Sequence, residues 1–160
     1  MPNRDLAAVL IELEATTGQR FNAETFDNRL RIQKSVYLLG ALGHPIGEAY
    51  PFNDYFHGPY SPPLAQDYYE LQAAGAFRPG AYSRTGAVPA PMLRAVGEAV
   101  CKGNDFLEAL ATLHSLASSN PGKSPNDLFS HASLLKPQLR GRFEEAWTFL
   151  TENGFVAGPT

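Results

Sequence analysis

A single cysteine, Cys101, stands in the 160 residues of this chain. One thiol closes no internal disulfide and cannot serve a zinc site built on two thiolates, so a reducing compartment suits the chain best. Long apolar runs are missing as well. The stretch from Leu6 to Ile11 is cut by Glu12 and Glu14, and no tract approaches the roughly 18 apolar residues of a membrane span. The reading is a cytoplasmic protein with no signal peptide and no membrane helix. Charge of one sign is also scarce: a formal net charge of −3 sets up no global positive field toward nucleic acid or anionic lipid. What is present is ordinary globular material, 44% hydrophobic and 18% charged. That excludes the charge-rich composition of disorder and leaves room for one domain with a real core.

Helical spacing dominates. Leu6, Val9, Leu10 and Leu13 define a first helix, with Asn3 as its expected cap and Gly18 as its stop. A second begins near Glu24 or Thr25, carries Phe26, Leu30, Val36, Tyr37, Leu38 and Leu39, and ends at Gly40 or Gly43. Its second half is apolar on more than one face, which marks a central core helix. HPIG breaks the pattern, and YPFNDYF suits a short extended piece because its aromatics favour a half-buried strand. Ser61 as N-cap and Pro62 in the first turn start a helix through Leu64, Tyr68 and Leu71 that Gly75 closes. Pro79-Gly80 and Thr85-Gly86 then punctuate short apolar pieces as in a loose hairpin, which allows a two-stranded wing. Four more helices are expected over about residues 91–102, 105–118, 125–135 and 137–153, with Asn104 and Ser124 as caps. The last places Phe143, Ala146, Trp147 and Leu150 on one face before Gly154. The expected fold is mainly α: a single compact helical domain over residues 1–160 with a short strand and a small β-hairpin, open to a winged-helix arrangement. Residues 91–155 form its helical C-terminal part.

Residues 52–71, FNDYFHGPYSPPLAQDYYEL, are the segment densest in chemically capable groups. A catalytic reading pairs His57 with Asp67 or Asp54 as acid and base and takes Ser61 or Tyr60 as the reacting hydroxyl. Nothing in their spacing demands it. Ser61 before two prolines is explained as a cap, and Asp67 sits where the helix dipole favours an anion. Tyr68 and Tyr69 are adjacent and cannot both face the core of one helix, so one is core and the other lies outward. Outward tyrosines suit a partner surface, because tyrosine gives large contact area at little conformational cost. The candidate partner-binding residues are Tyr55, His57, Tyr60 and Tyr69, with a protein as the partner.

Other constellations are weaker. Arg29, Arg31 and Lys34 read first as a solvated helix face, with Asp27 four residues before Arg31. Arg78 and Arg84 flank the proposed wing and carry the alternative of a winged-helix DNA-binding regulator. His44, His114 and His131 share no metal-ligand spacing, and no metal or cofactor is expected. Cys101 near a helix end reads as buried and inert. GKS at residues 122–124 lacks the first glycine of a phosphate-binding loop, Ala117 standing there.

RIQKSVYLLG followed by YFHGPYSPPLAQDYYELQAAG resembles the Panacea group of antitoxin-like proteins (SocA-like) and the related YwgA-like proteins. These show a helix of the type LQKLLYLL, an aromatic strand entering a Gly-Pro turn, then a helix with a leucine, an acidic residue and a closing glycine. Here the features fall on Ile32, Gln33, Lys34, Val36, Tyr37, Leu38 and Leu39; on Tyr55, Phe56, Gly58, Pro59, Tyr60 and Ser61; and on Leu64, Asp67, Leu71 and Gly75. The match covers about residues 26–77. Ser35 stands where the pattern is apolar, and His57 precedes the Gly-Pro pair. The resemblance implies a helical domain without catalytic residues that works as an antitoxin or adaptor, neutralising a toxin-like partner or delivering it to a protease pathway.

Overall fold

The apolar helix faces must find partners, and the chain satisfies them by wrapping two long helices with the others. The computed structural model describes residues 2–55, 58–77 and 86–156, with residues 2, 3, 54 and 55 described by their backbone alone. The order is α1 (Pro2–Thr17), α2 (Phe26–Ala41), α3 (Ile46–Ala49), β1 (Asn53–Tyr55), β2 (Gly58–Tyr60), α4 (Pro62–Ala73), α5 (Ala90–Cys101), α6 (Asn104–Ser119), α7 (Pro125–Leu135), a 3-10 segment (Pro137–Arg142) and α8 (Phe143–Glu152). The fold is mainly α.

Helices α2 and α6 pack on each other at the centre. Helix α2 also meets α3, α4, α5 and β2, and α6 also meets α5, α7, α8 and β2. The centre is dry: Ile32, Val36, Leu38 and Leu39 of α2 and Phe106, Leu107, Leu110 and Leu113 of α6 are fully buried. Each such side chain gains roughly 1.5–3 kcal/mol by leaving water. One continuous apolar cluster runs from Leu6 in α1 to Phe155 beyond α8.

Local chemistry sets most boundaries. Thr25 caps α2 by accepting from the Asn28 N–H, Ser61 caps α4 by accepting from Leu64, and Ser124 caps α7 by accepting from Asp127. Two expected caps are corrected. Helix α1 already includes Asn3, and α6 starts at Asn104 itself after Gly103, while the Asn104 amide donates to the Asp27 carbonyl at 3.0 Å. The expected last helix is also divided: Pro137 removes a donor, the chain runs through a 3-10 segment, and α-helix resumes only at Phe143. HPIG is less of a break than its composition implies, since residues 46–49 form the short α3.

The antiparallel pair β1–β2 is the one sheet among the described residues. Its register places Tyr55 opposite Gly58, Asp54 opposite Pro59 and Asn53 opposite Tyr60. Gly58 and Pro59, expected as a turn, are therefore strand residues. The hairpin expected around Pro79-Gly80 and Thr85-Gly86 falls mostly on residues 78–85, outside those described.

Candidate functional site

Helix α2 takes hold of β2 by its backbone. Gln33, buried in the middle of α2, lays its amide alongside Ser61: Ser61 N–H donates to Oε1 at 2.9 Å, and Nε2 donates to the Ser61 carbonyl at 3.0 Å. A side-chain amide thus completes the pairing that a third strand would otherwise make, and it satisfies both main-chain groups of a fully buried residue. The next residue, Lys34, donates from Nζ to the Pro59 carbonyl at 2.9 Å. Beyond it Gly58 presses on α6. At φ +83° it occupies the left-handed region, and a Cβ there would lie 3.0 Å from Thr112 Oγ1 and 3.6 Å from Lys34 Nζ. These contacts form a polar clasp between α2, β2 and α6.

Lys34 is buried rather than part of the solvated face expected of it, because α2 at that level is covered by β2 and α6. Burial pushes its ammonium down to about 8; the nearby Lys136 ammonium acts in the same direction, and Glu108 opposes both. Lys136 is itself buried at the end of α7 and is paired with Glu108 at 2.9 Å. Arg29 and Arg31 are half-buried and bond to backbone carbonyls. Arg29 donates to the Ala23 carbonyl at 3.0 Å, and Arg31 to the Arg20 carbonyl at 2.7 Å.

The expected site residues are distributed unevenly. Tyr55 lies on β1, where its backbone pairs with Gly58. His57, Arg78 and Arg84 lie outside the described residues. Tyr60 is half-buried, packed on the core and within hydrogen-bonding reach of the Tyr68 hydroxyl. Burial, with a smaller contribution from Tyr60, raises the Tyr68 phenol well above its ordinary value, while Gln33 acts against them. Asp67, named as a partner for His57, is engaged elsewhere: the Tyr50 hydroxyl donates to its Oδ2 at 2.5 Å. Burial first and this bond second push the Tyr50 phenol far up.

Of the adjacent pair on α4, Tyr68 is 2% exposed and Tyr69 is 51% exposed. The Tyr69 ring carries the Arg29 guanidinium over its face at 5.9 Å from the centroid. One turn earlier on α2, Phe26 is 66% exposed. Phe26, Arg29 and Tyr69 thus make an outward strip joining the start of α2 to α4. Phe26 was missed as a surface residue, because apolar periodicity alone counts it into the core helix. The available signal is its place at the first helical position, outside the Ile32, Val36 and Leu39 stripe. Cys101 is a second correction: it is exposed, one position past the buried Ala95, Val96, Ala99 and Val100 of α5.

Comparison of the chain with family models, with curated proteins and with solved structures gave no match. No helix among the described residues is long and apolar enough to cross a membrane.

Proposed function

We propose that this protein is a non-enzymatic interaction module of the antitoxin or adaptor type, neutralising or delivering a toxin-like protein partner, and that Tyr69 and Phe26 are its contact residues. The observation that carries the reading is the outward strip itself: Tyr69, 51% exposed under the Arg29 guanidinium, and Phe26, 66% exposed three residues before Arg29 on α2. Aromatic residues and arginine are the types enriched at interface centres, where they supply most of the binding energy. Two further points support it. The Gly-Pro segment that looks chemically rich is consumed in holding β2 to α2, and Asp67 is occupied by Tyr50.

The test uses the product of the gene adjacent to this one, co-expressed with the full chain. Tyr69→Ala and Phe26→Ala are expected to melt like the parent protein, since both side chains are largely in water, and to weaken capture at least about tenfold each. Tyr60→Ala serves as the contrast. It removes a half-buried ring and is expected to lower the melting temperature. Full capture by both Tyr69→Ala and Phe26→Ala would sink this choice of surface.

A further inference from the structure

Further along the face of α2 that carries the clasp, the first residues of α3 and the chain entering β1 enclose a cleft of about 340 Å³. We propose that this cleft binds a small organic cation, an alkylated ammonium group.

Its walls are rings set at steep angles to one another. Tyr37 meets Phe52 at 5.3 Å between centroids and 75°, and meets His114 at 5.4 Å and 75°. All three are half-buried, so they combine an open side with a dry one. Glycines of both helices line it: a Cβ on Gly40 would lie 2.9 Å from the Gly47 Cα, so the two backbones touch there. A cleft of this size is at the lower end of small-ligand sites.

The charges around it select the sign of the ligand. Glu48 lines the rim and is exposed, and its carboxylate makes no hydrogen bond or ion pair among the described residues. No lysine or arginine lines the cleft. Both nitrogens of His44 are engaged, Nδ1 by the Ile46 N–H at 3.0 Å and Nε2 by the Ala87 carbonyl at 2.8 Å. His114 Nδ1 and the Tyr37 hydroxyl share a hydrogen bond at 2.7 Å, and burial lowers the His114 pKa, which disfavours a positive charge on the ring. Ring faces attract a cation through their quadrupole, and a carboxylate adds to it; an anion finds no lysine or arginine in the lining. Among the described residues no three His, Cys, Asp or Glu side chains are placed to hold a metal ion, so the cation that suits the cleft is organic. An alkylammonium group occurs both in free amines and in methylated lysine side chains, and the chemistry recognised is the same.

The experiment titrates the full chain with choline, with its neutral isostere 3,3-dimethylbutan-1-ol, and with an N-acetylated trimethyllysine amide, following ring proton shifts of Tyr37, Phe52 and His114. Saturable shifts with either cation and none with the isostere support the site. Tighter binding of the trimethyllysine compound assigns the ammonium to a protein side chain, and tighter binding of choline assigns it to a free amine. Glu48→Gln, at an exposed and unbonded position, is expected to weaken binding about fivefold, and Phe52→Leu about tenfold. Equal shifts with the isostere, no shift with either cation, or unchanged affinity in both folded variants would overturn the proposal.

Discussion

Two regions of this molecule solve the same packing problem with different chemistry. Around α1, α2 and α4, helix side chains reach out and bind the backbone of the segments between helices. Glu14 accepts from Phe21, Gln72 from Ala23, Gln33 pairs with Ser61, Lys34 holds Pro59, and Glu12 accepts from Val88. Around α6 and α8 the contacts are apolar. Phe106 and Phe149 meet edge to face at 5.4 Å, Phe143, Ala146 and Leu150 are fully buried, and Lys136–Glu108 is the buried ion pair. The first region must hold irregular chain in place, and irregular chain brings main-chain donors and acceptors that need partners. The second joins helix to helix, and helices arrive with their backbone already satisfied.

That contrast sets how each region breaks. The largest loss is expected from truncation in the apolar region. Phe106→Ala empties a fully buried site and should cost about 3–5 kcal/mol in denaturant unfolding, whereas Phe106→Leu should cost under about 2. A Phe106→Leu loss as large as that of Phe106→Ala would mean that shape, not volume, governs α6 and α8.

Gln33→Leu applies the same volume-conserving exchange to the polar region, and the outcome should reverse. The side chain still fills its space, yet the Ser61 N–H loses its partner and the Ser61 carbonyl keeps only the Ala65 N–H, at a cost of about 2 kcal/mol. A near-neutral Gln33→Leu would show that the clasp is dispensable and that apolar packing alone seats β2.

Helix existence was legible in the sequence because periodicity and caps are local: Thr25, Ser61 and Ser124 cap where their residue types predict. The clasp was not. Gln33 and Lys34 read as polar residues on a helix, and only the strand lying 28 and 25 residues further along explains why they are inside. The same holds for Tyr37 and His114, 77 residues apart in the chain and 2.7 Å apart in the fold. Tyr68 and Tyr69 could be split into one buried and one exposed ring from adjacency, whereas Phe26 needed its neighbours to be placed.

Lys34 offers a sharper reading of the polar region, through pH. Its folded value is about 8, while an unfolded chain titrates lysine near about 10.4. Between those values the unfolded chain keeps a proton that the folded one has released, so stability from this group rises with pH through that window, is lost as pH falls back through it, and changes little below 8. The gain from pH 8 to about 9.5 should be on the order of 2 kcal/mol relative to Lys34→Met, which lacks the titration. A parent-minus-variant difference that stays flat from pH 7 to about 10 would mean that the Lys34 ammonium is better solvated or better paired than its burial implies.

The smallest expected effect has the opposite sign. Ser35 is fully buried on α2 with its hydroxyl unpartnered, as is the Thr112 hydroxyl facing Gly58. In the polar region every other buried donor next to Ser35, from Gln33 to Lys34, has found main chain. Ser35 sits one step round the helix, against side chains that offer it nothing. Ser35→Ala removes a desolvated hydroxyl without opening a cavity larger than one oxygen atom, and should raise the unfolding free energy by about 0.5–1 kcal/mol. A loss on that substitution would place an acceptor beside Ser35 and extend the clasp by one residue; a gain confines it to Gln33 and Lys34, where β2 presents its backbone.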